Sequence, residues 1–377
     1  MDTYRPFINV GPGEVIRKDL SALNWTQEDL ARVMGMSVKA VNEIIKNKSG
    51  ITLETARLLG KAFGQSPEFW LNLDAAYRLQ QVEESDQERD IEQHALILKH
   101  MPVKEMIRKG WLKPYNKVSE LVRQVKDFWN APTIDFRWME AASEPWYRKS
   151  QAYENFTKYY ALTWYQMAKN VAHSRKAPVY RKRKLEELAS KLAHHSTRTQ
   201  GVAEFLHSLE SCGVKFFVLK HLPKTYLDGA SFRDGENPVV VYTCRFNHLD
   251  NFWFTLAHEI AHVILHLDRQ DACFLDDMQS QSSEKPEVEA DAYAAQLIKA
   301  EEIKRFCASF SKYISTERVQ RCAEALQVGE ALVVGVLQHS GIVPFKNLNR
   351  FKETVLENIP ESMRVLETGS KQGKMPR

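Results

Sequence analysis

Two histidines and a glutamate inside an otherwise apolar helix constrain this chain more than any other feature. Phe252, Phe254, Leu256, Ile260, Val263 and Ile264 supply the apolar body, and His258, Glu259 and His262 interrupt it. Residues four apart lie one turn apart on the same helical face, so His258 and His262 can converge on one cation. Burying these groups without a metal is costly. Zinc favours neutral imidazole nitrogens, and three protein ligands leave a position for water. Glu259 adjoins the first histidine and can reach that water as general base. His266 extends the row. Eight residues rise about 12 Å along a helix, against zinc–nitrogen bonds of about 2.0–2.1 Å, so His266 is expected to pack beside the site rather than ligate.

A third ligand must come from elsewhere, and the acidic segment EVEADAYAAQL starting at Glu287 offers one. Glu287 and Asp291 are four apart and share a face. Glu287 is the expected ligand, and Asp291 the acceptor that orients a ligand histidine. Glu289 points roughly the other way and is the weaker candidate. Alanines between these acids allow a close approach to the histidine helix. The alternative is an acid-rich helix start favoured by the helix dipole. Tyr293 and His339 are candidate donors to a tetrahedral intermediate, because each can donate a hydrogen bond.

A second pattern lies near the N-terminus. Residues 26–48, TQEDLARVMGMSVKAVNEIIKNK, have the layout of two short helices joined by a sharp turn. Thr26 and Asp29 resemble a capping box, Gly35 permits the turn, and Ser37 is the expected cap for the next helix. Leu30, Val33 and Met34 supply the apolar side of the first helix, and Val41, Ile44 and Ile45 that of the second. Ser37, Val38, Lys39, Asn42 and Lys46 remain outside. In a helix-turn-helix the start of the second helix enters the major groove. Asn42 can then read adenine, Lys39 and Lys46 can contact a base edge or phosphate, and Gln27 can donate to a phosphate. An ordinary helical hairpin with a solvated polar face is the alternative.

Between the two patterns the chain reads as helical from about 93 to 212, with Trp129, Trp146 and Trp164 as core residues. The acidic stretch 81–92 is either a hinge or a continued helix. Val214 to Leu219 and Pro238 to Thr243 read as strands, with Gly229 and Asp234-Gly235 marking turns. Pro238 to Tyr242 is either an edge that an extended peptide can join or a plain structural strand. The basic run from Ser174 to Lys184 reads as a solvated loop and helix start, with phosphate contact the alternative.

Composition sets the remaining limits. At 377 residues the chain has room for about two or three domains. Lys and Arg number 52 against 48 Asp and Glu, and this balance announces nucleic-acid binding only if it is unevenly placed. The five cysteines, Cys212, Cys244, Cys273, Cys307 and Cys322, are odd in number and form no CxxC pair, which fits free thiols in a reducing cytoplasm. Neither a signal peptide nor a membrane span is expected, so no membrane partner is expected.

Resemblance sharpens both patterns. GPGEVIRKDLSALNWTQEDLARVMGMSVKAVNEIIKNKSGITLETARLLGKAFGQSPEFWLNL resembles the HigA-type antitoxin branch of the Xre helix-turn-helix family. That resemblance implies binding of double-stranded operator DNA, normally by a homodimer, with autoregulation as the usual role. YLDGASFRDGENPVVVYTCRFNHLDNFWFTLAHEIAHVILH, followed by EVEADAYAAQLI, resembles the ImmA/IrrE family of zinc metallopeptidases. His258, Glu259, His262, Glu287 and Asp291 occupy the matching positions. Members of that family fused to, or encoded beside, Xre-type regulators commonly cleave a repressor or anti-factor under stress. Tyr293, Lys299-Ala300 and Val336 depart from the family's usual residues, which bears on the substrate side and not on the metal ligands.

The expected fold is mainly α with a small β element (α+β). A helix-turn-helix domain occupies 1–80, a helical connector 81–212, a zincin-like metallopeptidase domain 213–355 and a tail 356–377. The expected function is a cytoplasmic, antitoxin-like transcriptional regulator that carries a Zn2+-dependent endopeptidase acting on a protein substrate or toxin partner. A non-enzymatic repressor whose metal domain binds a partner or senses a signal is the alternative.

Overall fold

The computed structural model describes residues 9–82, 85–137, 158–267, 273–276, 285–308 and 314–365. Two compact units divide the chain at Ile91 and Glu92. It is mainly helical, with one small sheet, and among the described residues no helix is long and apolar enough to cross a membrane.

Five helices build the first unit: α1 (Pro12–Leu23), α2 (Gln27–Met34), α3 (Val38–Ile45), α4 (Leu53–Phe63) and α5 (Pro67–Gln81). Their starts are written in short polar residues. The Thr26 hydroxyl accepts from Asp29 N, and the Asp29 carboxylate accepts from Thr26 N at 2.9 Å, so the capping box is closed. The Thr26 hydroxyl also donates to Asp29 Oδ2 at 2.7 Å, and this bond together with that from Thr26 N holds the Asp29 carboxyl below its usual range. Ser37, Thr52 and Ser66 cap α3, α4 and α5 in the same way. Gly35 ends α2 at φ 67°, a left-handed conformation that favours glycine. Thr26→Ala is expected to cost the first unit about 1 kcal/mol in denaturant unfolding, the typical worth of a cap.

Ile16, Leu30, Val41, Ile44, Leu59 and Trp70 form the core of this unit. Val33 is not part of it and is 55% exposed. Leu30, Ala31 and Met34 occupy the inward stripe, and Val33 falls roughly 100° round the helix from its centre. Asp74 of α5 is buried, accepts from Ile51 N at 3.0 Å, and pairs with Arg78. That contact ties α5 to the turn before α4. The acidic stretch 81–92 contains a break: α5 stops at Gln81, Val82 is extended, and α6 (Asp86–His100) starts on a Ser85–Glu88 capping box.

In the second unit, α6, α7 (Val103–Arg108), α8 (Val118–Trp129) and α9 (Lys158–Ser174) come first. Then follow α10 (Lys182–Ala189), α11 (Leu192–His195) and α12 (Gly201–Ser211), and the strands β1 (Lys215–Val218), β2 (Gly229–Asp234) and β3 (Asn237–Tyr242). After the long α13 (Leu249–Leu265) come β4 (Cys273–Asp276), α14 (Lys285–Leu297), α15 (Ala300–Ala308), α16 (Thr316–Leu326) and α17 (Glu330–His339). The sheet order is β1-β3-β2-β4, with β1 parallel to β3 and the other pairs antiparallel.

Alternation along the strands splits the sheet between two cores. Phe216, Val218, Val240 and Tyr242 face α13, together with Phe252, Leu256 and Ile260. Phe217, Leu219, Ala230, Phe232, Val239 and Val241 face the other way, into a core built with Ile97, Leu121, Val125 and Trp164. Both faces are covered, which is why KFFV and VVVY read as continuous apolar runs. The segment expected as a connector, 81–212, therefore supplies a packing layer of the second unit from residue 92 onward. Trp164 is fully buried and donates to Leu219 O at 3.2 Å, Trp129 is partly buried, and Trp146 lies outside the described residues.

Three further expectations are corrected. Gly229 opens a strand instead of marking a turn, because β2 is held on both sides, by β3 and β4. Pro238 to Tyr242 is an interior strand and not an edge, since β1 and β2 flank it. The tail does not begin at 356: Ile359 and Met363 are 1% exposed, and Val365 N donates to Val218 O. Asn247 Oδ1 accepts from Val355 N and Leu356 N, so residues 352–365 form a strap fastened to the start of α13.

Candidate metal centre and helix-turn-helix face

Helix α13 is the central element of the second unit, buried on nearly every side from Phe252 to Ile264. His258 is 3% exposed, and Glu259 and His262 are 0% exposed. The Nε2 atoms of His258 and His262 lie 3.0 Å apart. Glu287 Oε2, from α14, lies 3.3 Å from the first and 3.6 Å from the second. These three residues form the one group among the described residues in which three such atoms converge. Two bonds of about 2.0–2.1 Å at the tetrahedral angle put ligand atoms about 3.3–3.4 Å apart. The observed triangle has that size, so the donor set fits a tetrahedral zinc with one position left over.

Neighbouring groups fix the two histidine rings. Asp291 Oδ1 lies 2.9 Å from His258 Nδ1, and a proton held there turns the Nε2 lone pair toward the triangle. Phe274 of β4 stacks on the His262 ring, with centroids 4.1 Å apart and planes 12° apart. His266 Nε2 donates to Pro286 O at 3.1 Å, which ties the end of α13 to the backbone just before Glu287. Burial, then the adjacent His262, holds the His266 imidazole below its usual range. Glu289 lies 3.8 Å from His266 and 3.6 Å from Lys285, outside the triangle. Ala290 and Ala294 are the buried residues that let α14 approach α13 closely.

Other candidates fall elsewhere. The His339 ring sits beside Phe254 and Phe345, and burial lowers its imidazole pKa. Tyr293 packs on the core with Glu186 nearby, and burial raises its phenol pKa. Neither contacts the triangle among the described residues. Lys299 adopts φ 56° and its ammonium caps the end of α16 by donating to Leu326 O at 2.8 Å, while Val336 is buried in the core. Both substitutions thus have packing or capping roles here. In the basic run, Arg175 lies over the Phe217 ring at 5.2 Å, and Lys182 to Lys184 open α10 in solvent. Sequence reasoning missed two residues of the site, Phe274 and Gly229. A glycine inside a strand was the available signal for the second.

In the first unit, α3 presents Val38, Lys39, Asn42 and Lys46 along one face, with Ser37 at its start. Lys39 and Lys46 are exposed, Val38 is 45% exposed and Asn42 is half-buried. The Ser37 hydroxyl accepts from Ala40 N at 3.2 Å, and half-buried Gln27 opens α2. Val41, Ile44 and Ile45 hold the opposite face in the core. The helix is also held from behind: Arg17 donates to Ile45 O at 2.8 Å, and a Cβ at Gly13 would lie only 2.0 Å from that oxygen. Glycine is required there by close approach, which accounts for the PGE start of α1.

Comparison with known proteins agrees with both patterns. A helix-turn-helix family model matches residues 16–70, and the model described as IrrE N-terminal-like domain, a peptidase family, matches residues 209–334. Virulence-associated protein I of Dichelobacter nodosus is 34% identical over 83 residues, which is 22% of this chain and 77% of that protein. The uncharacterized HTH-type transcriptional regulator YddM of Escherichia coli K12 is 32% identical over 74 residues, 20% of this chain and 79% of that protein. Among solved structures, the Pseudomonas aeruginosa antitoxin HigA with higBA promoter is 33% identical and covers 20% of this chain and 82% of its own, at a TM-score of 0.19. The chain belongs to the Xre-type helix-turn-helix family through its N-terminal domain and joins to it a C-terminal IrrE-like peptidase domain.

Proposed function

We propose that this protein is a cytoplasmic, antitoxin-like transcriptional regulator that binds operator DNA as a homodimer and hydrolyses a peptide bond in a regulatory partner protein. The observation that carries the peptidase reading is the convergence of His258 Nε2 and His262 Nε2, from a buried helix, with Glu287 Oε2, from the helix packed on it, at tetrahedral spacing. When bound, zinc supplies Lewis acidity and lowers the pKa of a coordinated water to about 7. Asp291 and Phe274 hold the two imidazole planes. Glu259 accepts the proton of the attacking water as its oxygen bonds to the peptide carbonyl carbon. It then delivers that proton to the amine as the carbon–nitrogen bond breaks. Among the described residues β4 is an edge of the sheet that an extended substrate can join, and its Phe274 touches His262.

The test is direct. Zinc-loaded full-length protein is incubated with a peptide library drawn from a bacterial proteome, and new termini are counted by mass spectrometry. Cleavage that a chelator removes and zinc restores supports the reading. Zinc bound at this triangle without any new termini would sink it, leaving the metal domain as a binding or sensing module.

On the DNA side, the reading assigns base and phosphate contact to Ser37, Val38, Lys39, Asn42 and Lys46, with Gln27 on a phosphate. Lys39→Ala combined with Asn42→Ala is expected to weaken binding to a selected operator by more than about tenfold, since one good bidentate base contact is worth about 1–3 kcal/mol. Equal affinity for operator and scrambled DNA in the unaltered protein would remove α3 as the reading helix.

A further inference from the structure

We infer that Gly229 is a positioning residue for Glu259: its missing side chain leaves the space in which the carboxylate sits. The inference rests on the reading of Glu259 as proton acceptor. A Cβ at residue 229 would lie 2.1 Å from Glu259 Oε1, 2.9 Å from Glu259 Cδ and 2.8 Å from Thr255 Cγ2. Real Cβ atoms do not tolerate such distances, so any other residue must displace the carboxylate or part the strand from the helix. Backbone conformation does not demand glycine here, because residue 229 is not among the positive-φ positions. Its ladder is complete on both sides, opposite Tyr242 and Asp276.

A glycine weakens a strand interior, and its presence there marks a close approach. The neighbouring positions reinforce the point. On the face toward α13, β1 and β3 carry Phe216, Val218, Val240 and Tyr242, whereas β2 carries Gly229 and Ser231. The sheet is therefore hollowed in the strand that faces Glu259. The carboxylate is fully buried with the strand against it, so it cannot swing toward the sheet.

The test is a double-mutant cycle on the full chain, read first by thermal unfolding of metal-free protein. Gly229→Ala is expected to lower the unfolding midpoint by roughly 5 °C or more, and to cost little in a Glu259→Ala background, where the obstructing carboxylate is gone. Equal losses in the two backgrounds would overturn the inference and assign the glycine to packing on Thr255. If Gly229→Ala alone fails to fold, the double variant is expected to fold, and its failure counts against the inference. The second readout is the visible spectrum of the cobalt-substituted protein. Gly229→Ala is expected to bind cobalt and to reproduce the spectral change made by Glu259→Gln, with no further change in the double variant. An unaltered spectrum in Gly229→Ala also defeats the inference. Cleavage retained by Glu259→Gln would instead refute the role of Glu259, a result on which the unfolding cycle does not depend.

Discussion

Glu259→Gln is expected to leave the metal in place and to slow peptide cleavage about a thousandfold. The substitution keeps the shape of a side chain that is fully buried and packed against β2, so neither the helix nor the triangle is disturbed. It removes the one property the reaction needs there, an oxygen that takes a proton and gives it back. Positioned general bases contribute about 10²–10⁴-fold, which sets the size of the loss. Metal content measured by mass spectrometry should match the unaltered protein, and operator affinity should be unchanged. A variant that cleaves within a few-fold of the normal rate would show that another group moves the proton.

Removal of the metal should have the next largest effect. His262→Ala deletes a proposed ligand that is wholly buried and stacked on Phe274. Loss of a partner outside the ligand set typically costs about 10–100-fold in metal affinity, so loss of a ligand is expected to cost about a thousandfold or more. The consequence reaches beyond affinity, because the triangle joins α13 to α14. A ligand present at about a thousand times its Kd adds about 4 kcal/mol to the folded state. For a unit of this size that amounts to roughly 10 °C in unfolding temperature. Calorimetry with zinc and with a chelator measures it, and superimposable melting curves would exclude the triangle as a metal site.

Much of this was legible in the sequence because it depends on local spacing. The capping residues Thr26, Ser37 and Ser66 act within one turn, and the pairs His258–His262 and Glu287–Asp291 follow from helical periodicity alone. What was not legible depends on pairing between distant strands. The apolar run VVVY announces burial but not whether two strands or one flank it, and so β3 was open to reading as an edge. Gly229 looks like a turn until Glu259, thirty positions later, is seen to need its space. The modest charge excess of +4 was uninformative for the same reason. It sums lysines on α3 with acids beside the two histidines of α13, two places with opposite needs.

The strap over residues 352–365 has a consequence for the order in which the molecule is made. Val365 pairs with Val218, and Lys352 neutralises Asp250, which is 1% exposed at the start of α13. All three residues of the triangle leave the ribosome well before these partners do. Such long-range closure is slow relative to local helix formation. A growing chain therefore holds its histidines in an unfinished core, with a buried aspartate still lacking its lysine. The core around α13 is completed only once residues 352–365 have emerged, and every helix of the first unit emerges long before them.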